Sequence, residues 1–262
     1  MSHYAFINKR FPALDFKPGD KSDCLQLCGH HDYIVRDCII DATGLEDGCV
    51  DEACGITWGA CATFDHCLFK NAKKLVLIGS GDADHADEEN GKNVIFRNCW
   101  FDNFGRRGPE VQSGMICVMD GCVVTDWGRE EKYSDRTFGA WCHDGAVLIV
   151  KNSVFLQNVK PSLRLWLKDH AYHISQAWKD HGPLALFKRR TYVSGYKRAC
   201  TYDHDELCDV IMQHCYVQDG LVADNNSDPM TEDEAFKMYT DMHNYFEALT
   251  VERAKTDWRP KG

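Results

Sequence analysis

Nowhere in this 262-residue sequence is there a run approaching the ~18 consecutive apolar residues of a membrane-spanning helix, so no membrane partner is expected. Positive charge is not in excess either. Lys and Arg number 30 against 40 Asp and Glu, a formal net charge of −10. Binding along a phosphate backbone needs a basic face, so nucleic acid is not an expected partner, although a local basic site stays compatible. The first residues, MSHYAFINKRFPALDF, lack the charged-then-apolar pattern of a signal peptide. The chain is therefore expected in the cytoplasm, or in a particle assembled there. Cysteine, by contrast, is abundant. Fourteen cysteines without a leader point to free thiols in a reducing compartment rather than to a disulfide scaffold.

Those cysteines recur in one context. The segments IVRDCII (34–40), TFDHCLF (63–69), IFRNCWF (95–101), VMDGCVV (118–124), IVKNSVF (149–155) and IMQHCYV (211–217) share an apolar start, a polar pair, then Cys or Ser and an apolar end. The recurring residue is Cys38, Cys67, Cys99, Cys122, Ser153 and Cys215, in steps of 29, 32, 23, 31 and 62 residues. Val, Ile and Phe dominate, which favours strands. The steps are too variable for ankyrin or tetratricopeptide repeats, and the helical period is missing. Short strands separated by Gly/Asp/Asn-rich turns at such a period describe the coils of a solenoid. The predicted fold is an all-β solenoid, a right-handed parallel β-helix with a C-terminal helical cap. In a stack of coils one position faces inward in every turn, so the cysteines are expected to form an interior column of small, weakly polar side chains. A zinc site at Cys24, Cys28, His30 and His31 is the alternative there, but Cys-x3-Cys followed at once by two His is not a standard spacing.

Three further stretches carry a combination of motifs: DGCVD (47–51), FKNAKKLVLIGSGDAD (69–84) and NVIFRNCWFDNFGRRGPEVQSGMICVMDGCVV (93–124). In order, coil spacing and strand context this combination resembles the pectate lyase family of polysaccharide lyases, over roughly residues 20 to 158. The resemblance implies calcium-dependent β-elimination on an acidic polysaccharide or other anionic glycan. It implies that Asp23, Asp47 and Asp51 hold calcium, with Asp20 as a helper. It implies that Lys74 contacts the substrate carboxylate and takes part in catalysis, and that Arg107 is the catalytic base. Arg106 and Gln112 would line the substrate. Pro109, Val111 and Gly114 match the backbone of the arginine motif.

The chemistry is coherent on its own terms. Calcium takes several oxygen ligands in flexible geometry, which carboxylates on stacked coils can supply. A uronate carboxylate neutralised by a metal and a lysine acidifies the neighbouring C–H, and a base can then remove that proton. Arginine is an unusual base because its pKa exceeds ~12, and crowding by Arg106, Lys74 and calcium is expected to lower it. Plainer alternatives stand beside these readings: Asp47 and Asp51 as solvated turn carboxylates, Lys74 as a surface lysine, Arg107 as a loop anchor.

The sequence departs from the family pattern in one telling place. PEVQ replaces PRVR, so Glu110 and Gln112 stand where two arginines are usual. The alternative function is thus a divergent β-helix without pectate lyase activity, such as a glycan-binding or virus-particle structural module, or an intracellular enzyme on another anionic substrate. A homo-oligomer, dimer or trimer, could cover an open coil end. The expected organisation is an N-terminal arm over 1–19, the β-helix over 20–226, and a capping helix and tail over 227–262. For that helix, Thr231 and Glu234 form a capping box, and Phe236, Tyr239, Phe246 and Leu249 an apolar stripe. It is expected across the C-terminal end of the solenoid or in a subunit contact. Trp166 and Trp178 are candidates for sugar stacking, and His170 and His173 form the best-spaced histidine pair.

Overall fold

The computed structural model describes residues 2–11, 23–43, 52–80, 86–128, 138–157, 198–202, 208–219, 221–223 and 226–255. Asp20, Asp47, Asp51, Trp166, His170, His173 and Trp178 lie outside them. The chain winds as a right-handed parallel β-helix with three sheets, every strand pairing with its counterpart one coil away. Sheet A has eight strands, among them Ser2–Ile7, His31–Arg36, Cys61–Asp65, Asn93–Arg97, Ile116–Asp120, Val147–Lys151 and Asp209–Gln213. Sheet B has seven, including Ile39–Asp41, Leu68–Lys70, Trp100–Asp102, Val123–Thr125 and Val154–Leu156. Sheet C also has seven, including Leu25–Cys28, Cys54–Thr57, Val76–Ile78, Glu110–Val111 and Ala140–Cys142. Residues 2–11, placed in an arm by the sequence reading, supply the first strands of sheets A and B.

Alternation along each strand turns one set of side chains inward. Stacking of coils then lines identical types up. Phe64 lies over Phe96 at 4.9 Å and Phe69 over Phe101 at 5.1 Å, in near-parallel stacks. All four are fully buried.

The corner between sheets A and B explains the recurring cysteine. The residue before it is always in the left-handed region: Asp37, His66, Asn98, Gly121, Asn152 and His214, with φ between 47° and 67°. Gly, Asn, Asp and His are the types that tolerate this conformation best. The turn drives the next side chain inward, where Cys38, Cys67, Cys99, Cys122, Ser153 and Cys215 are all fully buried. Each thiol or hydroxyl then meets carbonyls at the corner. Cys38 donates to Arg36 O (3.1 Å), Cys99 to Arg97 O (3.2 Å), Ser153 to Lys151 O (2.6 Å) and Cys215 to Gln213 O (3.3 Å). The residue must be small enough for the corner and able to donate, which Cys and Ser both satisfy. Among the described cysteines none is in a disulfide. Burial pushes the Cys99 thiol well up and Cys215 up to about 11, so these two thiols are inert core groups.

The C-terminal helix, Glu232–Lys255, begins at the expected capping box: Thr231 N–H donates to Glu234 Oε2 (2.9 Å) and Glu234 N–H to Thr231 Oγ1 (3.4 Å). Its position differs from the expectation. It runs back along the flank of sheet B instead of across the end of the stack. Near its start Met230 N–H donates to Cys215 O (3.1 Å), and further along Tyr245 donates to Asp37 Oδ1 (2.5 Å). The reason is the outward column of sheet B. Ile39, Leu68, Trp100, Val123 and Val154 are register partners on successive coils, and all are apolar. They pack against Ala235, Met242 and Phe246, with Tyr239 and Leu249 beside them. The real stripe runs through Ala235, and Phe236 is 70% exposed on the far side. No helix among the described residues is long and apolar enough to cross a membrane.

Candidate functional site on sheet C

The site begins with four residues that stack a few positions ahead of strands of sheet C. Cys24 N–H donates to Glu52 O (3.2 Å), Ala53 N–H to Lys74 O (3.0 Å) and Leu75 N–H to Arg106 O (3.0 Å). These bonds stack Asp23, Glu52, Lys74 and Arg106 on four successive coils, two carboxylates followed by two cations. The next residue, Arg107, has φ 64°. Regular alternation would send its side chain inward, and the left-handed backbone breaks that alternation.

The Arg107 guanidinium is held on two sides. Nη1 donates to Glu52 Oε1, and Nε lies 2.8 Å from Glu110 Oε2. The second contact is ionic rather than a hydrogen bond, since the N–H does not align with the oxygen. Lys74 Nζ reaches the same Glu52 Oε1 at 3.4 Å. The two cations predicted to act on substrate thus meet on one carboxylate oxygen. Lys74 and Arg107 retain partial exposure, while Glu52 is almost fully buried.

Glu110 belongs to the outward column of sheet C, with Leu77 and Trp141 as its register partners, yet it is only 2% exposed. His143 Nε2 lies 3.1 Å from Glu110 Oε1, and the imidazole stacks on Trp141 with ring centroids 4.3 Å apart. Burial pushes the Glu110 carboxyl up. The hydrogen bond to His143 and the charges of Arg107, His143 and Arg106 outweigh it and hold the carboxyl below its usual range.

The sequence reading surrounded Arg107 with cations. In the structure two buried carboxylates, Glu52 and Glu110, flank it. Arg106 is buried, at 7% exposure. Gln112 spends its amide on the Gly79 carbonyl, Nε2 donating at 2.8 Å, because Gly79 leaves no side chain in the way. Glu52 and His143 were missed. Glu52 had a readable signal: it precedes ACGI as Asp23 precedes CLQL and Lys74 precedes LVLI.

Of the expected calcium ligands, only Asp23 lies within the described residues. Its Oδ1 accepts the Glu52 N–H at 2.9 Å. Its Oδ2 and Gln26 Oε1 both overhang Gly55, where an added Cβ would come within 2.0 and 2.5 Å of them. Hard oxygens gathered over a glycine are the donor chemistry calcium uses, so Asp23 fits as one ligand. Among the described residues no group of three His, Cys, Asp or Glu side chains is placed to hold a metal ion.

A family profile described as pectate lyase matches residues 30–172, more than half of the chain. The chain belongs to the pectate lyase family. This match spans Lys74, Arg107, Glu110 and His143, and Asp23 precedes it. A solved structure of a thermostable pectate lyase is similar at 16% identity, over 60% of this chain and 45% of that one, with a TM-score of 0.46. This pectate lyase family member thus spans less than half of that protein's length. No curated protein matches the sequence significantly.

Proposed function

We propose that this pectate lyase family member binds an acidic, uronate-containing glycan on sheet C and cleaves it by β-elimination. One observation carries the reading: Lys74 and Arg107, from adjacent coils, converge on a single carboxylate oxygen. Two cations that hold one carboxylate in this way suit a uronate carboxylate equally well. Elimination needs stabilisation of the charge that develops on that group as the adjacent proton leaves. Lys74 and Arg107 would supply it as fixed cations, with Glu110 orienting Arg107 and His143 orienting Glu110. With its guanidinium between two carboxylates, Arg107 serves this role better than that of proton acceptor. Asp23, with Asp47 and Asp51, would hold calcium, and bound calcium supplies a Lewis acid for the same carboxylate.

The test is incubation with polygalacturonate and other uronates, with calcium or with chelator, following the absorbance of the unsaturated product. Calcium-dependent product that disappears in Lys74→Ala and in Arg107→Ala, with folding intact, supports the proposal. A second reading, glycan binding without elimination, is favoured by the commitment of Gln112 to Gly79 and the replacement of a cation by Glu110. Binding of uronate oligomers without any unsaturated product would decide for it.

A further inference from the structure

We infer that Glu52 is an internal stand-in for the substrate carboxylate, and that it sets the affinity of the site by occupying the place an external carboxylate takes. The inference rests on the reading of Lys74 and Arg107 as carboxylate-binding cations. Three observations support it. Glu52 is the carboxylate on which both cations meet, through one oxygen, Oε1. Its backbone is pinned: its N–H donates to Asp23 Oδ1 and its carbonyl accepts from Cys24, so the carboxylate is delivered by a fixed strand end. And Arg107 has a second carboxylate, Glu110, on Nε. The guanidinium therefore keeps its position and a counter-charge when Glu52 is removed, which leaves a preformed place rather than a collapsed one.

The physical consequence is competition. A uronate that enters must take Lys74 and Arg107 from Glu52, and the buried Glu52 carboxylate then has to find other donors or retreat. Part of the binding free energy is spent on that exchange. A neutral isostere at position 52 removes the competitor and keeps the shape.

The test has two arms, both with calcium at one fixed concentration. In the first, titration calorimetry with galacturonic acid trimer compares the natural protein with Glu52→Gln, and the variant is expected to bind at least tenfold tighter. In the second, thermal melting of Glu52→Ala is followed in sodium acetate against sodium chloride at equal ionic strength. Acetate is expected to fill the vacated place and raise the melting temperature of Glu52→Ala, while leaving the natural protein and the Lys74→Ala/Glu52→Ala double variant unmoved. If Glu52→Ala folds only in acetate, that recovery counts as the same result. The inference is overturned if the trimer binds both proteins and Glu52→Gln no tighter than the natural protein, or if acetate does not stabilise Glu52→Ala. Acetate rescue with a trimer that binds neither protein has a separate meaning: the carboxylate place stands, and the uronate-glycan reading falls.

Discussion

Two outer faces of the same solenoid show how one backbone serves opposite ends. On sheet B the outward column is Ile39, Leu68, Trp100, Val123 and Val154, and the chain's own C-terminal helix covers it. On sheet C the outward column and its approach carry Glu52, Lys74, Arg107 and Glu110, which neutralise one another. Coil geometry is the same at both faces. The difference lies in what water does to each column: apolar side chains gain by being covered, whereas charges remain where partners and partial hydration support them. The covered face is where apolar packing is concentrated, and the charged face is where the proposed binding site lies.

The largest expected break in this comparison is at Phe246, fully enclosed between helix and sheet B and 6.2 Å from Trp100. Phe246→Ala should cost about 3–5 kcal/mol of unfolding free energy, by transfer and cavity effects together, in denaturant titration. Uronate binding below the unfolding transition should be unchanged. A loss of binding equal to the loss of stability would show that the two faces are coupled. Smaller and opposite in kind is Gly55→Ala. Its Cβ would fall against the Asp23 carboxylate and Gln26, so the expected cost is about 1–3 kcal/mol from overpacking. Any calcium-induced rise in melting temperature should shrink with it. An unchanged calcium response would remove Asp23 from the ligand set.

Acid sharpens the comparison further. The Glu110 carboxyl is held below its ordinary value of 4.5. Its contribution to stability is therefore present above that value and lost as the pH falls through the lowered one. The natural protein should lose stability faster than Glu110→Gln as acid is added below about pH 4.5, read from unfolding at a series of pH values. Parallel curves would show that the network around Arg107 adds nothing to stability. The smallest effect is expected at Tyr245, whose hydroxyl ties the helix to Asp37 at a partly exposed position. Tyr245→Phe should cost about 0.5–1 kcal/mol.

Much of the fold was legible because it repeats. A left-handed turn residue, then Cys or Ser, then apolar residues is a local instruction, and six copies of it at coil spacing announce the solenoid. The capping box at Thr231 and Glu234 was equally local. The helix position was not legible, because the stripe on the helix and the column on sheet B become complementary only once the coils are stacked. Phe236 shows the limit of periodicity: it fits a helical stripe on paper and points into solvent in the fold.

At the site, residue type and order in the sequence determined that Lys74 and Arg107 would stand on neighbouring coils near an acidic strand end. Tertiary structure alone decided their partners. Glu52 and Arg107 are 55 residues apart, and nothing in either neighbourhood says that one will neutralise the other. Glu110, read as a lost cation, became the second anchor of Arg107 through the register of sheet C. Short-range steric and hydrogen-bonding preferences make the coil, and those are written in consecutive residues. Coulomb attraction acts between whichever groups the stacking brings within a few ångströms, so the charge pattern of the site exists only in the assembled stack.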